Sequence, residues 1–227
     1  MTYDLYIGDR SFSSWSLRGW LMLEAFGLPH RIHLVGLYAG TLRVDLAGLA
    51  PARTVPVLRC PDGAILTDSL AMAETLVERH PDAGLYPADP IARALARSMV
   101  AEMHSDFGAL RSECPMNLRH GWRGVQVSDA VTGDLERITE LFTPSRERFG
   151  ADGPWLFGRY SLADAFYAPV ALRIAGYGLP VGPLVQDYVQ AQLADPRILH
   201  WRSEGERVNY DSIPYPMPAN RIPWPGP

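Results

Sequence analysis

The feature that most constrains the fold is a change of pattern at Asp82-Ala83-Gly84-Leu85-Tyr86-Pro87-Ala88-Asp89-Pro90. Upstream of it, short apolar runs alternate with helical periodicity; downstream, strand signals vanish. A compact stretch rich in proline and small residues between two such regions reads as a domain boundary. The expectation is an α/β domain over residues 1–82, a linker over 83–90 and an all-helical domain over 91–227.

In the first region, Tyr3–Ile7 predicts a strand that ends at Gly8. A serine-rich loop, Ser11-Phe12-Ser13-Ser14, leads into a helix from about Ser14 to Phe26 with Leu17, Trp20, Leu21 and Leu23 as its apolar positions. Serine at the start and Gly27-Leu28-Pro29 at the end are start and stop signals. His30–Val35 predicts a second strand, and strand–helix–strand implies a parallel pair with a crossover. Residues 36–51 read as loop with a short helical piece. Thr54–Cys60 predicts a strand carrying Pro56 near its start, where the missing N–H is tolerated. Pro61-Asp62-Gly63 then turns the chain into Ala64–Thr67 as an antiparallel hairpin, and Asp68-Ser69 opens a helix that ends at Arg79-His80-Pro81.

Beyond the linker, Ile91 to about Leu110 predicts one long helix with Leu95, Met99, Met103 and Phe107 in an apolar stripe. Cys114-Pro115-Met116-Asn117 interrupts it. Further helices are expected over Ala130–Phe149, Leu184–Ala194 and Pro196–Val208. Ser161-Leu162-Ala163-Asp164 forms a capping box ahead of the apolar run Ala165–Ile174. The tail from Asn209 holds six prolines, so no regular element is expected there. Its Tyr210, Ile213, Tyr215, Ile222 and Trp224 are too apolar for a solvated tail, and it is expected to lie along the helical domain.

Composition removes several chemistries. All 21 basic residues are arginine. Without lysine there is no Schiff base and no Walker-type phosphate loop, so anions must be met by arginine, hydroxyls or backbone N–H groups. Cys60 and Cys114 form no Cys-x-x-Cys pair, and the six histidines show no zinc-type spacing. His30 and His33 come closest and are read as structural. A net charge of −4 without a basic run argues against nucleic acid. No apolar run approaches a membrane span and the first residues lack signal-peptide character, so a cytoplasmic protein is expected.

Five pieces together carry a resemblance: Ser13-Ser14-Trp15-Ser16-Leu17-Arg18, Val55-Pro56-Val57-Leu58, Asp68-Ser69, Leu85-Tyr86-Pro87 and Ser161-Leu162-Ala163-Asp164. In this order the chain resembles the cytosolic glutathione transferases, a thioredoxin-like domain followed by an all-α domain. The serine loop is most similar to that of bacterial and zeta-like members, with Trp15 where their loop has cysteine. The resemblance implies glutathione as co-substrate, a small hydrophobic electrophile, a homodimer and no metal. It implies Ser13 as the hydroxyl on the glutathione sulfur, with Ser14 the alternative and the remaining serine as helix cap. Trp15, Arg53, Val55, Pro56, Asp68 and Ser69 join Ser13 as glutathione-site residues. Val55 would pair its backbone with the tripeptide ahead of a cis bond to Pro56; Asp68 would meet the γ-glutamyl ammonium and Ser69 the carboxylate. Arg53 would stand in for the lysine or glutamine common before Val-Pro. His104, Phe107, Arg111 and Met116 are the candidates for the electrophile side, while Ser161 and Asp164 are structural.

The chemistry is self-consistent. Attack needs a thiolate, and lowering a thiol from about 8.5 to about 6.5 requires roughly 2.7 kcal/mol. A helix N-terminus supplies about 0.3–2 kcal/mol and one hydrogen bond to charge about 1.5–3 kcal/mol. A zeta-type isomerase or dehalogenase would use the same glutathione site. A non-catalytic glutathione-fold binding protein would bind the tripeptide without ionising it.

Overall fold

The computed structural model describes residues 2–207 and 220–226. Strand β1 (Tyr3–Ile7) turns Tyr3, Leu5 and Ile7 to one face of the sheet, and Asp4 on the other face is buried as well. Helix α1 (Ser14–Glu24) follows, then β2 (His30–Leu34), which pairs parallel with β1. The short α2 (Leu42–Asp45) precedes β3 (Val57–Arg59) and β4 (Ile65–Leu66). The sheet order is β2-β1-β3-β4, with β3 antiparallel to both neighbours. Helix α3 (Ser69–Arg79) closes this half.

The second half holds α4 (Pro90–Ser105), α5 (Gly108–Glu113), α6 (Asp129–Phe149), α7 (Leu162–Tyr177), α8 (Pro183–Ala194) and α9 (Pro196–Gly205). The architecture is thus the thioredoxin-like half plus helical half that the patterning predicts. Helix α7 is apolar on all sides because it packs against α1, α4 and α8 at once. Its capping box is present, with the Ser161 N–H donating to Asp164 Oδ2 at 2.8 Å. One contiguous apolar core runs from Tyr3 through Leu85 and Phe166 to Trp224.

Three expectations are corrected. The long helix after the linker stops at Ser105, because Phe107 adopts a left-handed backbone (φ 58°) and the chain restarts as α5. Its apolar stripe is also shorter than the spacing implies: Met99 and Met103 are buried, but Leu95 is 42% exposed. The half read as free of strands contains β5 (His120–Arg123), which pairs antiparallel with β6 (Asn220–Pro223) from the proline-rich tail. Pro223 stands at the last position of this edge pairing, where its missing donor costs little. Trp224 is buried beyond it. The expectation for Tyr210, Ile213 and Tyr215 falls outside the described residues, as does Val208.

Candidate active site

The serine loop enters α1 in extended conformation, with Ser13 as N-cap at φ −91° and ψ 94°. Ser13 Oγ accepts the Ser16 N–H at 3.3 Å and donates to Ser16 Oγ at 2.8 Å. Ser16 Oγ in turn accepts the Gly8 N–H at 3.0 Å. The Ser13 hydroxyl is therefore engaged in holding the first turn to the end of β1. Ser14, the first residue of α1, is engaged differently. Its Oγ accepts from Arg173 Nη2 at 3.3 Å. Arg173 is buried in α7 and is anchored by donating to the Cys114 carbonyl at 2.8 Å and the Pro169 carbonyl at 3.2 Å. An oxygen that accepts from a guanidinium keeps its own proton for another acceptor.

These groups open onto a cavity of about 560 Å³ between the two halves. Ser13, Ser14 and Trp15 line it from α1, Val55 and Pro56 from the segment before β3, and Asp68 and Ser69 from the start of α3. His104, Arg111 and Met116 line it from the helical half. The Val55–Pro56 bond is cis. Gly19 on α1 packs directly against Pro56; a Cβ there would sit 2.9 Å from the proline ring.

At the amino end of α3, Asp68 caps the helix by accepting the Leu70 and Ala71 N–H groups at 2.8 and 3.0 Å. Its Oδ2 meets His104 Nε2 at 3.2 Å. Ser69 Oγ accepts from Arg18 Nη1 at 3.3 Å and lies 3.4 Å from His104 Nδ1. Arg18 is almost wholly buried, with its guanidinium 4.3 Å from the Trp15 ring centre and 4.6 Å from that of Phe166. Burial pulls the Arg18 pKa down to about 9, helped by the like charges of Arg111 and Arg173. It remains a cation at neutral pH.

Two expected site residues stand elsewhere. Arg53 faces a separate hollow formed by α2 and residues 50–52, because the chain turns between it and Val55. Phe107 is buried in the helical core against Tyr167, with ring centres 6.1 Å apart, since the left-handed break swings it inward. Residues that pattern reading missed also line the cavity, among them Phe12, Tyr38, Thr54 and Arg173. Arg173 carried one available signal: a lone charge inside the apolar run of α7, which demands partners when buried. Cysteine chemistry has no support here. Both cysteines are buried and free, and burial pushes the Cys114 thiol up to about 11. Among the described residues no cluster of histidine, cysteine, aspartate or glutamate is placed to hold a metal, and no helix is long and apolar enough to cross a membrane.

Residues 12–79, which span the serine loop, the cis proline and the start of α3, match the glutathione S-transferase N-terminal domain family. The solved structure of a glutathione transferase homologue from Burkholderia with bound glutathione superposes with a TM-score of 0.66 and 26% identity, covering 92% of this chain and all of that one. Residues 12–79 are thus a glutathione S-transferase N-terminal domain, and the whole chain has the glutathione transferase fold. A maleylacetoacetate isomerase of Pseudomonas aeruginosa is 28% identical over 85% of this chain and 92% of its own length. A probable maleylacetoacetate isomerase of Caenorhabditis elegans is 39% identical, over 42% of this chain and less than half of its own (43%). A transferase of the omega type from Trametes versicolor shares the fold at a TM-score of 0.66 and 19% identity.

Proposed function

We propose that the chain is a glutathione-dependent enzyme in which Ser14, with the amino end of α1, holds the glutathione sulfur as thiolate for attack on a small electrophile. The observation that carries this reading is the division of labour in the serine loop: Ser13 is the cap, and Ser14, fed by Arg173, has a proton to give. No general base is required, because the thiol ionises and the hydroxyl only stabilises the product of that ionisation. The Val55 backbone would align the cysteinyl unit of the tripeptide. Asp68 would receive the γ-glutamyl ammonium and Ser69, at the amino end of α3, the carboxylate. Residues 1–82 would then form the glutathione domain and residues 91–227 the helical domain. Glutathione bound to solved relatives supports the ligand.

A second reading, isomerisation of a maleyl-type double bond by reversible thiolate addition, is favoured by the isomerase relative that matches 85% of the chain. We further propose a cytoplasmic homodimer; exposed Ile91 and Leu95 on α4 fit a partner's apolar face.

Calorimetric titration with glutathione, followed by the ultraviolet band of the thiolate and a panel of electrophiles and maleyl compounds, tests the proposal. Saturable binding with thiolate absorbance near neutral pH is expected. Binding without ionisation would leave a non-catalytic glutathione-fold protein and refute the enzyme reading. Light scattering should return about twice the 25.2 kDa of one chain.

A further inference from the structure

Several arginines of this molecule stand beside acids: Arg31 and Arg59 meet Asp4, Arg79 meets Asp62, and Arg137 meets Glu102. Arg111 does not. It lines the cavity from α5, half-buried, with Nη1 shut off from solvent and lacking a hydrogen-bond partner. No carboxylate among the described residues lies within ion-pair distance of it. The nearby acids are otherwise engaged. Asp68 caps α3 and faces His104, Asp134 accepts the Leu110 N–H at 2.8 Å, and Glu113 accepts from Ser128 at 2.7 Å. Beside Arg111 stand further cations instead: Arg18 shares the Trp15 ring with it, at 4.3 Å against 5.3 Å for Arg111, and Arg173 lines the same cavity.

A half-buried guanidinium with an orphaned N–H among like charges is costly. Its planar fork matches a carboxylate in two-point geometry. Arg111 lines the same cavity as the serine loop, with its guanidinium 5.3 Å from the Trp15 ring centre and Met116 also in the lining. We infer that Arg111 is the specificity-determining residue of the second-substrate pocket and binds a carboxylate on the electrophile. The inference rests on the glutathione reading for the identity of the other half of the cavity. It holds equally for a transferase and an isomerase, since in both the electrophile must be oriented toward the sulfur.

Benzoate and benzamide, alike in shape and different in charge, are the probes. Each is titrated into the protein saturated with S-methylglutathione, and the titrations are repeated with Arg111→Gln and Arg111→Lys. Benzoate is expected to bind about tenfold or more tighter than benzamide. That preference should collapse to within about twofold in R111Q, persist in part in R111K, which keeps charge but not the fork, and shrink with added salt. Equal binding of the two probes by the unaltered protein overturns the inference, as does a preference that survives in R111Q. Displacement of S-methylglutathione by benzoate would overturn it too, since the anion would then sit in the tripeptide site. If S-methylglutathione itself fails to bind, the glutathione reading fails. The benzoate preference is then read on the free protein, so the two failures are separable. Melting curves of both variants verify that they are folded.

Discussion

Replacing Ser14 by alanine removes the one loop hydroxyl with a free proton, and its consequence can be worked through. A hydrogen bond from a hydroxyl to a thiolate is worth roughly 1.5–3 kcal/mol. At about 1.4 kcal/mol per unit, its loss raises the pKa of the bound thiol by about 1–2 units. The amino end of α1 persists and keeps its share of about 0.3–2 kcal/mol, so the thiol does not return fully to its free value. A thiol titrating near 6.5 is roughly three-quarters ionised at pH 7, and one near 8 about a tenth. Turnover of Ser14→Ala at pH 7 should therefore fall roughly eightfold and recover as pH rises above about 9. Arg173 Nη2 loses its acceptor at the same time, so some stability is lost; Ser14→Thr restores the hydroxyl and should restore the thiol. Ser13→Ala is the control. It removes the α1 cap, costing about 1 kcal/mol of stability, and leaves the thiol pKa nearly in place. The readout is ultraviolet titration of thiolate in the glutathione complexes. A shift in Ser13→Ala with none in Ser14→Ala would refute the assignment and return the role to the cap residue.

The remaining expectations are structural and electrostatic. Gly19→Ala forces a methyl onto the Pro56 ring; a loss of about 1–3 kcal/mol and weaker glutathione binding should appear together in melting and calorimetry. Asp68→Ala uncaps α3 and frees His104; glutathione KM should rise about tenfold with kcat little changed. Asp4 is held down to about 2 by the His33 hydrogen bond and by Arg59 and Arg31. Its folded pKa is depressed, so its contribution is present above pH 4 and is lost as pH falls through 2. Solvent screening of the half-exposed arginines limits it to on the order of 1 kcal/mol. Asp4→Asn should therefore lower the denaturation midpoint at pH 6, and the gap from the unaltered protein should close near pH 2.

Much of this molecule is local and so is readable along the chain. Alternation in Tyr3–Ile7, the caps at Ser13, Asp68 and Ser161, and the turn at Pro61-Asp62-Gly63 each depend on a few adjacent residues. The order of those pieces carries the thioredoxin-like and helical halves. It also brings most of the cavity lining to notice, since the serine loop, Val55-Pro56 and Asp68-Ser69 are short motifs.

What the chain order withholds is whatever depends on partners far away. Arg173, whose guanidinium donates to Ser14 and so sets it apart from Ser13, lies 159 positions along the chain. The strand at His120–Arg123 exists because Asn220–Pro223 lies beside it, and neither carries a strong period of its own. Phe107 continues a helical stripe by spacing, yet a single left-handed residue ends the helix and sends the ring into the core. Sequence alone sets which local conformations are cheap. Burial, charge and the meeting of distant segments, which exist only in the folded chain, decide what each loop hydroxyl is bonded to and leave Arg111 in the cavity lining without an acid.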